Sequence, residues 1–158
     1  MKIAAIKTFI VPPRWLFLKI ETDEGLSGWG ETGVAGHEQA LAAKLQEFEP
    51  FLIGKDPGLI EDMWQTLFRN GCFRGGPILM SAISAIDIAL WDIKGRKLGV
   101  PIHALLGGKV RQKIRSYRWI GGDRPTNLVQ DAKNLIEQGF DACKFNICSE
   151  LQIVDRHS

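Results

Sequence analysis

Side chains able to act as acids, bases or anion binders are spread thinly along this chain, and their spacing limits what each can do. Asp87 and Asp92 lie five residues apart in a helical pattern, so they fall on different faces and make no acid/base pair. Asp87 shares its face with Ile83, Leu90 and Lys94. A carboxylate sunk among such neighbours is costly unless partnered, which predicts a structural ion pair or cap there. His37, His103 and His157 are too far apart for metal-ligand spacing, and Cys72, Cys143 and Cys148 form no Cys-x-x-Cys pair. Neither a metal site nor a disulfide framework is indicated. Lys144 and Asn146 stand two residues apart in a strand-like run, which points them to one side. Asn146 is an amide and takes no proton at neutral pH. Arg14 follows the stiff Pro12-Pro13 turn, Glu31 ends a strand-like run, and Arg74 precedes Gly75-Gly76 at a helix start. Helix starts attract anions, but Pro77 removes one donor, so a packing or loop contact is expected of Arg74.

The elements that must position these residues follow from periodicity and punctuation. Ile3 to Ile10, Trp15 to Glu21 and Leu26 to Glu31 read as a three-stranded antiparallel meander joined by Pro12-Pro13 and by Thr22-Asp23-Glu24-Gly25. From His37 the period becomes helical, with Ala40, Leu41, Leu45 and Phe48 on one face and a stop expected at Pro50. A second helix runs from about Gly58 to Arg69, with Ile60, Met63, Trp64, Leu67 and Phe68 at core spacing. A third opens at Gly75-Gly76-Pro77 and closes at Gly99-Val100-Pro101, and Ile102 to Leu106 makes a short last turn. The charged stretch Lys109-Val-Arg-Gln-Lys113 suggests a boundary between domains 1–112 and 113–158. Beyond it, Ile114 to Ile120, Pro125 to Gln138 (Leu128, Ala132, Leu135 and Ile136 inward) and Ala142 to Ile147 read as strand, helix, strand. That order implies parallel pairing. Trp15, Trp29, Trp64, Trp91 and Trp119 are expected as core and interface anchors.

With 158 residues and 45% apolar content, the chain can build one solid core, or a domain and a piece of another. Twenty basic and eighteen acidic residues are interspersed and give a net charge of +2, which argues against a nucleic-acid partner. No stretch approaches the ~18 apolar residues of a spanning helix, and the opening Met-Lys-Ile-Ala-Ala-Ile does not resemble a secretory leader. A cytoplasmic protein without a membrane partner is the expectation.

The run Ala82-Ile-Ser-Ala-Ile-Asp87-Ile-Ala-Leu-Trp91-Asp92-Ile-Lys94-Gly95-Arg96, continuing through Pro101-Ile102 to Gly107-Gly108, resembles the signature helix of the mandelate racemase and muconate lactonizing group of the enolase superfamily. Pro12-Pro13-Arg14-Trp15, Gly25-Leu-Ser-Gly28-Trp-Gly30-Glu31, Gly54-Lys-Asp56-Pro57 and Phe73-Arg74-Gly75-Gly76-Pro77 are similar to the acid-sugar dehydratases of that superfamily. Tyr117 to Pro125 and Lys144-Phe145-Asn146 are most similar to the galactonate dehydratase family.

The resemblance implies an α+β fold: an enolase-type N-terminal capping domain, then the truncated start of a (β/α) barrel. The 113–158 segment is far short of the roughly 200 residues a complete barrel takes. It also implies the activity of the complete enzyme, Mg2+-dependent loss of water from an aldonic acid to give a 2-keto-3-deoxy acid, and a leaning to homo-oligomers. Substrate-binding roles are implied for Lys144 and Asn146, at the end of a barrel strand, and for Arg14, on a loop that in this superfamily overhangs the barrel mouth. The bland readings are a strand-end lysine, a loop asparagine and an exposed hairpin arginine. The family's metal-binding carboxylates and acid/base histidines would fall after position 158. No catalytic residue, metal ligand or specifically bound Mg2+ is therefore assigned to this chain, and it is expected to be inactive alone. Alternatives are a dehydratase for gluconate or mannonate and a non-catalytic remnant or interaction module.

Overall fold

A computed structural model describes residues 1–120 and 127–145. The chain forms two compact units, Met1–Lys109 and Val110–Ser158. In the first, β1 (Ile3–Val11), β2 (Trp15–Thr22) and β3 (Ser27–Thr32) make an antiparallel sheet in that order. Alternation assigns the faces: Leu16, Leu18 and Ile20 of β2 point inward with no accessible surface. Their register neighbours on β3 are Thr32, Gly30 and Gly28. Two helices cover that inner face, α1 (Glu38–Leu52) and the 22-residue α3 (Pro77–Leu98), and α2 (Ile60–Arg69) packs against both of them. A one-turn helix, α4 (Ile102–Leu105), follows.

Glycine decides how closely α3 approaches the sheet. Any side chain at Gly28 or Gly30 would run into the carbonyl oxygens of Ala89 and Ala85, so the bare strand and the small helix residues let backbone lie on backbone. Around this contact Ala82, Ile83, Ile86, Leu90 and Ile93 close on Leu41, Leu45, Phe48, Met63 and Leu67 as one core. The ends of α3 are set by its punctuation. Pro77 occupies the first turn, and Gly99, in the left-handed region at φ 66°, lets the Val100 N–H reach the Gly95 carbonyl at 3.0 Å.

Three expectations are corrected here. Helix α1 does not stop at Pro50 but continues to Leu52, which is fully buried. The carbonyl that Pro50 leaves without a donor belongs to exposed Gln46 and can be hydrated, so burial of Leu52 outweighs the lost bond. Ala40, expected inward, is exposed at the start of α1. Of the five tryptophans, Trp64 and Trp91 are half-buried and pack against the core, whereas Trp15, Trp29 and Trp119 are exposed. In β2 and β3 the inner positions go to Leu16, Leu18, Gly28 and Gly30, which leaves Trp15 and Trp29 on the outer face.

The second unit holds β4 (Arg118–Trp119), α5 (Leu128–Glu137) and β5 (Cys143–Lys144), with β4 and β5 paired in parallel, Arg118 beside Cys143 and Trp119 beside Lys144. The strands are shorter than the apolar runs suggested. On α5 only Leu135 is buried, and Ile136, expected inward, is exposed.

Candidate functional site

Arg14 sits on the β1–β2 turn with its guanidinium carbon 5.4 Å from the centre of the Trp15 ring. The flat cation lies against the indole, a contact worth about 0.5–1 kcal/mol at an exposed position, which orders it without using its N–H donors. Arg14 makes no ion pair among the described residues. Across from it the chain leaving β3 supplies Glu31, Thr32, Gly33 and Ala35, and together these residues line an open cleft of about 250 Å³. The two segments are separated in sequence by the whole of β2. The β1–β2–β3 register joins them, because Leu16 and Thr32 are direct partners. Thr32 is buried, so Arg14, whose donors make no hydrogen bond or ion pair among the described residues, is the group of this cleft able to bind an anion.

Lys144 belongs to the second unit. It is exposed on β5, and its ammonium stands 5.3 Å from the centre of the Trp119 ring, its register partner on β4. Asn146 lies outside the described residues. Each named cation thus rests on a tryptophan. The Arg14-Trp15 pair is visible as neighbours in sequence, whereas Trp119 beneath Lys144 requires knowing that the strands pair in parallel.

Arg74 is exposed on the loop before α3, and no side chain caps that helix. The structural contacts expected of Asp87 are made by Asp92 instead. Asp92 accepts the Trp29 backbone N–H at 3.0 Å and the Arg96 Nε–H at 3.0 Å, tying β3 to α3. Asp87 has no hydrogen bond or ion pair among the described residues. It lines a narrow seam with Ile60, Trp64, Leu67 and Leu90, where burial, and then the charge of Glu61, raise its pKa above the usual carboxylate range. The expected cationic partner or cap is absent because the nearest charge on α2 is acidic. Partial exposure makes this tolerable, and neither carboxylate belongs to the cleft.

Among the described residues no three His, Cys, Asp or Glu side chains converge to hold a metal ion. Magnesium asks for several oxygen ligands around one point, so these residues do not fit a magnesium centre. No helix among them is long and apolar enough to cross a membrane.

Known proteins bear on this arrangement. The D-galactonate dehydratase of Pectobacterium atrosepticum is 56% identical over 155 residues, covering 98% of this chain and 41% of that protein. That of Variovorax paradoxus is 55% identical over the same length, again with 98% and 41% covered. The chain therefore spans about two fifths of the length of these curated relatives. A crystal structure of a member of the enolase superfamily from Salmonella Typhimurium superposes with a TM-score of 0.85 at 34% identity, over 92% of this chain and 42% of the other. An enolase from Pantoea ananatis with bound D-gluconate and Mg superposes with a TM-score of 0.81 at 38% identity, over 91% of this chain and 36% of the other. Residues 5–107 match the model of the mandelate racemase / muconate lactonizing enzyme N-terminal domain, and the chain belongs to that family, within the enolase superfamily.

Proposed function

We propose that this chain is the N-terminal part of a D-galactonate dehydratase, an enzyme that converts galactonate to 2-keto-3-deoxygalactonate and water. The observation that carries the reading is the identity above one half, over nearly the whole chain, to dehydratases of that specificity. Arg14 in its cleft is one anion-binding group of the proposed enzyme, and Lys144 with Asn146 is a second; both serve the acid sugar's carboxylate and hydroxyls. The complete enzyme uses Mg2+ held by residues other than those described, and it forms a symmetric homo-oligomer in the cytoplasm. The exposed free thiols Cys72 and Cys143 suit a reducing compartment.

A gluconate-bound relative favours gluconate as the second reading, but its identity is the lower. The test supplies the isolated chain, and the chain fused to the C-terminal remainder of the Pectobacterium atrosepticum enzyme, with galactonate, gluconate or mannonate and Mg2+. The isolated chain should give no product. The fusion should form the 2-keto-3-deoxy acid from galactonate in preference, and Arg14→Ala or Lys144→Ala should lower its kcat/KM about tenfold or more. A fusion that prefers gluconate overturns the specificity. A folded fusion inert toward all three acids supports a non-catalytic module, and turnover by the isolated chain would discard the account of where catalysis lies.

A further inference from the structure

Two kinds of neighbour hold cations in place in this chain. A carboxylate does so by neutralising the charge: Lys7 and Lys19 each hold Glu21 at 2.7 Å, Arg96 holds Asp92 at 3.0 Å and Arg115 holds Asp141 at 3.0 Å. A cation held that way has its charge cancelled where an incoming anion would meet it. An aromatic face does so through the ring quadrupole and leaves the N–H donors unused. Arg14 and Lys144 are held in the second way, at 5.4 Å from the Trp15 ring centre and 5.3 Å from that of Trp119, and neither makes an ion pair among the described residues. Lys94 also lies on a ring, 4.7 Å from the centre of Trp91, but those two stand three residues apart on α3, where helix spacing alone makes them neighbours. Local spacing explains neither of the other stacks. Successive residues of a strand point to opposite faces, so Arg14 reaches the ring of Trp15 only because it sits on the turn ahead of β2. Trp119 and Lys144 meet through the parallel register of β4 and β5.

We propose that Trp15 and Trp119 are positioning residues of the dehydratase: each seats one substrate-binding cation, Arg14 or Lys144, with its charge and its donors left for the acid sugar. Each ring is itself held. Trp15 faces Val11 on β1 and stacks on Phe17, two residues along β2, with the rings 6.4 Å apart and within 14° of parallel. Trp119 lies between Ile120, which is buried, and Arg118, whose guanidinium donates to Gln138 at the end of α5 at 2.7 Å. An unsupported arginine or lysine gives up its rotamer freedom when it grips an anion, whereas one already lying on a ring has given up much of it beforehand. A carboxylate in the place of either tryptophan would order the cation as well, but it would cancel the charge that the substrate's own carboxylate has to meet. The rings therefore contribute to affinity, in KM more than in kcat.

The inference rests on the dehydratase reading for the identity of the anion, and galactonate binding to the fusion, measured by calorimetry beside turnover, keeps the two apart. Trp15→Leu and Trp119→Leu should each weaken binding and raise KM roughly two- to fivefold with little change in kcat. Trp15→Phe and Trp119→Phe, which keep a ring face, should recover most of that loss. Added to Arg14→Ala, Trp15→Leu should cost nothing more, because the cation it seats is gone, and the same holds for Trp119→Leu added to Lys144→Ala. Trp29→Leu should leave affinity unchanged, since the cation on that ring, Lys19, is already paired with Glu21. Should a leucine variant fail to fold, threonine, which strands accept and which also lacks a face, takes its place. In the 158-residue chain, proton NMR should find the side chains of Arg14 and Lys144 shifted upfield by the indole ring currents. Unshifted protons would overturn the inference, as would leucine variants that bind like wild type while Arg14→Ala and Lys144→Ala do not, phenylalanine variants as weak as leucine, an equal loss in Trp29→Leu, or losses that add fully in the double variants. A fusion that binds galactonate with this pattern of affinities but does not turn it over would overturn the dehydration reading and support the seating of the two cations.

Discussion

In the first unit Leu16, Leu18, Ile20, Leu41, Leu45 and Phe48 have no accessible surface, whereas in the second only Ile120 and Leu135, among the described residues, are buried apolar side chains. Val110, Ile114, Val129 and Ile136 of the second unit are instead 93%, 80%, 70% and 68% exposed. Both units contain well-formed helices and paired strands. The difference teaches that secondary structure by itself says little about stability: a ten-residue helix such as α5 is marginal in water, and a two-residue parallel ladder adds little to it. The Arg115–Asp141 ion pair at 3.0 Å spans the second unit, but both side chains are well exposed, so screening by water leaves it a small contribution.

Amide exchange is the sharpest way to break this comparison, because it reports opening free energies element by element. Amides of β2 and of the middle of α3 should exchange only through global opening. Those of Arg118 to Ile120 and of Cys143 to Phe145 should exchange orders of magnitude faster in the monomeric chain. Comparable protection in both sets would mean that the second unit is stabilised by more than its own contacts, and the contrast would fall.

The next effect in size is confined to the first unit. Gly30→Ala forces a methyl group against the Ala85 carbonyl oxygen, backbone that cannot step aside as a flexible side chain would. Overpacking of this kind costs ~3 kcal/mol or more, because α3 must lift from β3 along its length. Urea unfolding followed by tryptophan fluorescence should show the midpoint falling accordingly. Gly25→Ala, at a hairpin glycine with open space around its Cα but φ near 82°, should cost about 1–2 kcal/mol from backbone strain alone. Equal shifts would mean that helix and strand are not in the intimate contact described.

Much of the first unit was legible because its signals are local. Alternation marked the strands, Pro77 and Gly99 bracketed α3, and the spacing of Leu41, Leu45 and Phe48 gave the buried stripe of α1. What escaped were relations between distant segments. Nothing local says why glycine stands at positions 28 and 30 of β3 until Ala89 and Ala85 lie over them, and Trp15 and Trp29 read as core until register puts them outside. The candidate cleft was half visible: Arg14 and Glu31 each mark a recognisable turn or strand end, and the family resemblance implies that both loops overhang the barrel mouth, but the side-by-side placement follows from the strand register. The strands of the second unit were overestimated because an apolar run shows what can pair, not how much partner is present.

The smallest effect separates the two carboxylates of α3 and reverses the order that helix periodicity alone suggests. Asp92→Ala removes the acceptor for the Trp29 N–H and for Arg96, and should cost about 1–2 kcal/mol, the worth of a charge-assisted hydrogen bond at a partly exposed position. Asp87→Asn should cost nothing at pH 7 or stabilise slightly. Burial, reinforced by Glu61, raises the Asp87 pKa above its ordinary 3.8, so the folded state holds this proton more tightly than the unfolded chain does. Stability contributed by the protonated form is therefore complete at low pH and is lost as pH rises through the raised folded value. Denaturant midpoints at pH 7 and near pH 3 should show any advantage of Asp87→Asn over wild type at the higher pH only, while Asp92→Ala stays destabilising at pH 7. If Asp87→Asn destabilises at pH 7 as much as Asp92→Ala, Asp87 has a partner that its place in the α2–α3 seam does not supply, and the assignment of the structural contacts to Asp92 in its stead is wrong.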